Sequence, residues 1–174
     1  MKLGIILVLA SAGIADPVSI TGRASIVDAD TIEIQGRRVR LNGVDAPETR
    51  QLCKDEKGKA YRCGKIAADA LNGFLASSRP TTCRILGNDR YRRLVGSCYR
   101  ADGAEVAAWM VRHGHALDWP QYSHGVYAAE EAAAKNNRAG VWRGTFVPLG
   151  NGGRQAGVSR KQSFSVPYAV ELKA

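Results

Sequence analysis

Three short segments concentrate the side chains of this chain that could do chemistry: Asp28 to Thr31 (DADT), Arg40 to Glu48 (RLNGVDAPE) and Asp89 to Arg93 (DRYRR). They bring together the carboxylates Asp28, Asp30, Asp45 and Glu48 with the arginines Arg40 and Arg93. Hydrolysis of a phosphodiester asks for such a set: hard oxygen ligands for a metal, a base that orients water, and cations that neutralise charge developing at phosphorus. Arginine is suited to bidentate contact with phosphate oxygens. The stretch Arg79 to Arg93 adds five arginines against one aspartate, with Tyr91 among them, a composition that fits phosphate contact and base stacking. Each segment alone has an ordinary explanation. Aspartates in turns satisfy local backbone donors, Pro47 forces Ala46 into an extended conformation, and an arginine on a strand face is commonly just solvated. The combination is harder to explain that way.

The elements that must position these residues are short. ITGRASIVD, TIEIQ and RRVRLN read as strands between Ser19 and Asn42, with Ile32 and Ile34 alternating against Thr31 and Glu33, and a turn at Gly36. Val39 and Leu41 alternate against Arg38, Arg40 and Asn42, so Arg40 is expected on the face away from the core. Lys59 to Ser77 reads as a helix closed off by Pro80, and Ala104 to His113 as a second helix stopped by Gly114. Tyr122 to Arg138 reads as a third, with Gly140 as its C-terminal cap. Thr81 to Leu86 and Leu94 to Tyr99 are two further strands around the DRYRR loop. Five strands interleaved with three helices predict an α+β fold, compatible with a small barrel carrying helices on its outside.

The first residues, MKLGIILVLASAGIA, put Lys2 before an apolar run and small residues after it, the pattern of a secretory signal peptide with cleavage expected after Ala15. The run is far short of the roughly 20 residues that span a bilayer, so no stable membrane insertion is expected after cleavage. A domain over residues 16–144 and a basic, flexible tail over 145–174 follow from the Gly-, Ser- and Arg-rich composition beyond Trp142. An oxidising compartment favours pairing of Cys53, Cys63, Cys83 and Cys98. Four cysteines allow three connectivities; sequence order suggests Cys53 with Cys63 and Cys83 with Cys98. With no C-x-x-C spacing, a zinc site using His113, His115 or His124 is the weaker reading. The net charge of +9 favours a polyanionic partner, nucleic acid first.

VDADT, RLNGVDAPE and DRYRRLVG, in this order and separation, resemble the signature of staphylococcal (thermo)nuclease-like proteins, over roughly Ser19 to Trp142. The resemblance implies a five-stranded OB-type barrel with three helices and a calcium-dependent nuclease acting on DNA and RNA; by its leader the mature protein is expected to be secreted or periplasmic, and a monomer is expected. Carried over by residue, it implies Asp30 and Asp45 as calcium ligands with the backbone carbonyl of Ala46. Glu48 is then the general base or water-orienting group, Arg40 and Arg93 the arginines that stabilise the transition state, and Tyr91 a nucleotide-phosphate contact. Asp28 ranks below these, in a supporting place. Ala29 and Arg92 stand where the family shows glycine, and a Cβ resists the left-handed backbone that glycine permits.

Two alternatives follow from the same residues. A nuclease-like domain that had lost catalysis would keep a basic surface and bind nucleic acid or another polyanion, but it would be expected to lose Arg40, Glu48 or Arg93. Exported proteins of this type also occur in exopolysaccharide-producing systems of the succinoglycan type, where an accessory role is the other possibility; no glycosidase pair of carboxylates can be argued from the sequence.

Overall fold

The computed structural model describes residues 18–146, so the expected leader and residues 147–174 of the expected tail lie outside the described residues. The main sheet has six strands: β1 Ser19–Gly22, β2 Ala24–Asp28, β3 Thr31–Ile34, β4 Arg37–Leu41, β8 Thr81–Asn88 and β9 Leu94–Tyr99, in the order β1-β8-β9-β4-β3-β2. Only the β4–β9 pair is parallel. The expected first run, ITGRASIVD, is two strands broken at Arg23, which is why six strands stand where five were expected. The two end strands of the sheet, β1 and β2, are thus neighbours in the chain, and the sheet curls into a half-barrel. Two small ribbons accompany it: β5 Val44–Asp45 with β10 Leu117–Asp118, and β6 Cys53–Lys54 with β7 Ala60–Tyr61.

Alternation sorts the faces as the sequence requires. Ile32, Ile34, Val39 and Leu41 are fully buried and meet Leu71 of helix α1 (Cys63–Ala76) and Val106, Met110 and Val111 of α2 (Val106–Arg112) in one core. Arg38 and Arg40 take the other face. Helix α1 begins four residues later than expected, because Ala60–Tyr61 pair with β6 and Cys63 is bonded to Cys53. The expected third helix is two, α3 (Pro120–Ser123) and α4 (Ala128–Asn136). His124 (φ 55°) and Gly125 (φ 79°) both take left-handed backbone between them, which no helix can accommodate. A 3-10 turn, Gly140–Arg143, follows, and Thr145 then pairs with Lys54 of β6.

Both disulfides suggested by sequence order are present, Cys53–Cys63 and Cys83–Cys98. Such bonds belong to an oxidising compartment, secreted or periplasmic, and among the described residues no helix is long and apolar enough to cross a membrane. Cys83 and Cys98 face each other in the β8–β9 register, below the loop that carries Arg93. Replacing both by alanine reopens a loop of sequence separation 15. The expected result is a loss of about 3 kcal/mol, read as a lower urea midpoint.

His115 supplies a pH signature. Its burial, with help from the neighbouring His113 and Arg143, pushes its pKa down to about 4 from 6.5. The unfolded chain therefore takes up a proton on this ring before the folded one does. Its contribution to stability is complete above about pH 6.5 and falls as pH drops toward 4. A His115→Gln protein is expected to show a shallower decline in melting temperature across that window.

Candidate active site

The tight turn from β2 into β3 delivers Asp30, and the turn from β4 through Gly43 into β5 delivers Asp45. Gly43 is required there: its φ is 73° and an added Cβ would stand 2.8 Å from the side chain of Ser123. Arg40, opposite Thr31 in the β3–β4 register, reaches both acids. One guanidinium nitrogen pairs with Asp30 Oδ2 and the other lies 3.5 Å from Asp45 Oδ1. Thr31 Oγ1 donates to Asp30 Oδ1 at 2.8 Å. Although Arg40 lies on the face away from the core, its side chain is only 18 % exposed. The β10 strand pairs with β5, Leu117 against Asp45, and lays the Trp119 ring 5.7 Å from the guanidinium carbon.

The carboxylates outnumber the cation that holds them. Burial raises the pKa of Asp30 despite Arg40. It raises that of Asp45 to about 6, again against Arg40 and with the charge of Asp30 adding to the effect. Glu48 rises to about 7, through partial burial first, then its hydrogen bond to Asp28 and the charges of Asp28 and Asp30. Two desolvated carboxylates sharing one guanidinium, with a third acid beside them, are a donor set that a hard divalent cation fits. Among the described residues no group of three or more His, Cys, Asp or Glu side chains forms a metal cage, so Asp30 and Asp45 could hold such an ion only with backbone oxygen, water or substrate completing the shell. Ala46, buried between Asp45 and Pro47, is the neighbouring source of a carbonyl.

Arg93 is not in contact with this cluster. It stands just before β9, two residues ahead of Val95, the register neighbour of Arg40, and its charge reaches Asp30. Its Nε donates to Asp89 Oδ2 at 2.7 Å, while Asp89 Oδ1 accepts the backbone N–H groups of Tyr91 (2.8 Å) and Arg93 (2.9 Å). Tyr91 is 60 % exposed, with the guanidinium groups of Arg90 and Arg93 at 4.9 and 5.5 Å from its ring centre. Of the two positions where glycine was expected, Arg92 takes left-handed backbone (φ 65°), a strain on the order of 1 kcal/mol offset by the Asp89 bonds around it. Ala29 is fully buried and does not have positive φ.

Residues that sequence reasoning underrated or missed hold these groups in place. Asp28 Oδ1 accepts from Ala29 N (2.8 Å), Thr49 N (3.1 Å) and Thr49 Oγ1 (2.7 Å). Asp89 closes the arginine loop, which the turn preference of aspartate could have indicated. Nothing in the sequence pointed to Trp119. Helix α1 presses on the loop of Glu48 at Gly64, where an added Cβ would lie 1.7 Å from the Glu48 carbonyl oxygen. Gly64→Ala is therefore expected to shift Glu48, to destabilise the protein by about 1–3 kcal/mol on thermal melting, and to reduce any activity that depends on Glu48.

An α+β domain with a curled sheet, a buried acid–arginine cluster and an arginine-rich hairpin beside it belongs to the nuclease-like class. The family model described as staphylococcal nuclease homologue matches residues 38–144, and this chain belongs to that family. It is 52% identical over 141 residues to the succinoglycan biosynthesis protein ExoI of Rhizobium meliloti (strain 1021), covering 81% of this chain and 73% of that protein. It is 30% identical over 122 residues to an uncharacterized endonuclease of Escherichia coli O157:H7, covering 67% and 72%. A probable staphylococcal-like nuclease CAN1 of Oryza sativa subsp. japonica is 32% identical over 106 residues, covering 60% of this chain and 28% of that protein.

Proposed function

We propose that this protein is an exported, monomeric, calcium-dependent endonuclease that hydrolyses phosphodiester bonds of DNA and RNA. The observation that carries the reading is the Arg40 guanidinium shared by the buried Asp30 and the half-buried Asp45, with Glu48 at the rim. Asp30, Asp45 and the carbonyl of Ala46 would hold calcium, which when bound polarises a phosphate oxygen and relieves the repulsion between the two acids. Glu48, with its pKa near 7, orients a water and takes its proton close to neutral pH. Arg40 and Arg93 present planar forks to the phosphate oxygens as negative charge builds on them. Tyr91, exposed between Arg90 and Arg93, contacts the neighbouring phosphate.

The sheet topology supports a closed five-stranded barrel in which β1 and β2 are one bent strand joining the two ends of the sheet. Gln35, after β3, donates from its side chain to the carbonyl of Thr21 in β1 at 3.0 Å, where closure would need contact. The two disulfides support export, which the leader over residues 1–15 would direct. Cleavage of plasmid DNA by the purified mature protein in calcium, and its absence in chelator, tests the reading directly.

The relative named as a succinoglycan biosynthesis protein favours a second reading, an accessory role in exopolysaccharide production. The two can be separated in a strain lacking this protein. If exopolysaccharide yield is restored by the wild type but not by Glu48→Gln, the role runs through the nuclease site; if both restore it, the role is independent of that site.

A further inference from the structure

Glu48 opens a β-turn: the N–H of Gln51 donates to the Glu48 carbonyl at 2.7 Å, and the Glu48 N–H donates to Gln51 Oε1 at 3.3 Å. Such a turn makes no demand for threonine at its second position. Thr49 instead donates both its N–H and its hydroxyl to one oxygen, Oδ1 of Asp28, across 21 positions of sequence. The same oxygen accepts the N–H of Ala29, in the turn that delivers Asp30. A single carboxylate oxygen thus fastens the Asp30 turn to the Glu48 turn. Glu48 immediately precedes Thr49 in that turn, and the charge of Asp28 reaches its carboxyl.

We propose that Thr49 is a positioning residue for Glu48, its hydroxyl anchoring to the Asp28 carboxylate the turn that carries Glu48. The proposal rests on the reading of Glu48 as the group that orients water. Three donors converging on Asp28 Oδ1 leave that carboxylate little freedom to rotate. Without the hydroxyl, the two N–H donors from Ala29 and Thr49 still satisfy the oxygen, so Asp28 is not orphaned and the fold holds. What is lost is the bond of shortest length, 2.7 Å, and with it the tightest tie between the turn of Glu48 and Asp28. Groups that orient a functional side chain in this way typically contribute about 10–100-fold to activity.

The test uses the mature protein with Thr49→Val, which keeps the shape and loses the hydroxyl, Thr49→Ala as a second deletion, and Thr49→Ser, which restores the donor. Steady-state cleavage of DNA in calcium should show kcat reduced about 10–100-fold in Val and Ala with KM little changed, and most of the rate returned in Ser. Amide hydrogen exchange at Thr49 and Gln51 should quicken in Val and Ala and stay near wild type in Ser, a readout independent of activity. Wild-type kcat and exchange in Val and Ala would overturn the proposal, as would a Ser protein as slow as the other two. A wild type that cleaves no nucleic acid in calcium would instead overturn the functional reading, while the exchange result would still decide whether the Thr49 hydroxyl holds the loop.

Discussion

Purified protein carrying Glu48→Gln, Arg40→Lys or Arg93→Lys is expected to cleave DNA about 10²–10³-fold more slowly than the wild type, the usual effect of losing one preorganised group that meets charge only in the transition state. The three differ in what else they lose. Lysine keeps the charge but not the fork, and at position 40 the fork spans two acids. A lysine there can serve only one, leaving a buried carboxylate short of its cation, so Arg40→Lys should also lower the melting temperature. Arg93 pairs with Asp89 at a more open site, its side chain 36 % exposed, where an ion pair adds little to stability. Arg93→Lys should therefore melt close to wild type while being comparably slow. Near wild-type cleavage by all three variants would show that the chemistry runs elsewhere.

The contrast between Arg40 and Arg93 also marks where the sequence could be read and where it could not. Alternation of Val39 and Leu41 against Arg40 assigns the face of Arg40 correctly, since the period of a strand is a local property. It cannot reveal that this face is roofed. The roof is Trp119 and the two-residue strand β10, which is too short to show any period and pairs with β5 across more than seventy positions of chain. The break between α3 and α4 escaped for a related reason: α3 is a single turn too short to show a period, and the alanine-rich run begins only at Ala128, beyond the left-handed backbone at His124 and Gly125. Asp28 illustrates a third kind of miss. An aspartate in a turn usually serves its own backbone, and Asp28 does so at Ala29, but its bonds to Thr49 join two segments that only the folded sheet brings together. The arginine loop lay nearer to hand, since Asp89 and Arg93 are four residues apart and the whole constellation is local.

Removal of calcium is expected to abolish cleavage altogether, and the unusual charge of the site gives this prediction a second, independent readout. With its pKa raised from 3.8 to about 6, Asp45 binds a proton more tightly folded than unfolded. Keeping it ionised therefore works against the fold above pH 6, and in chelator its contribution to stability should improve as pH falls from 6 toward 3.8. His115 acts with the opposite sign over much of that range, so the quantity to follow is the difference between wild type and Asp45→Asn. In chelator that difference should shift in favour of the wild type on acidification. Calcium should remove the trend, because the ion satisfies the ionised carboxylates that the protein alone leaves desolvated. At neutral pH it should also raise the melting temperature of the wild type, by the equivalent of about 2.7 kcal/mol at a concentration of 100 times Kd. Asp45→Asn should lose most of that gain. Undiminished cleavage in excess chelator, or a melting temperature indifferent to calcium at every pH, would remove Asp30 and Asp45 from the role of ligands.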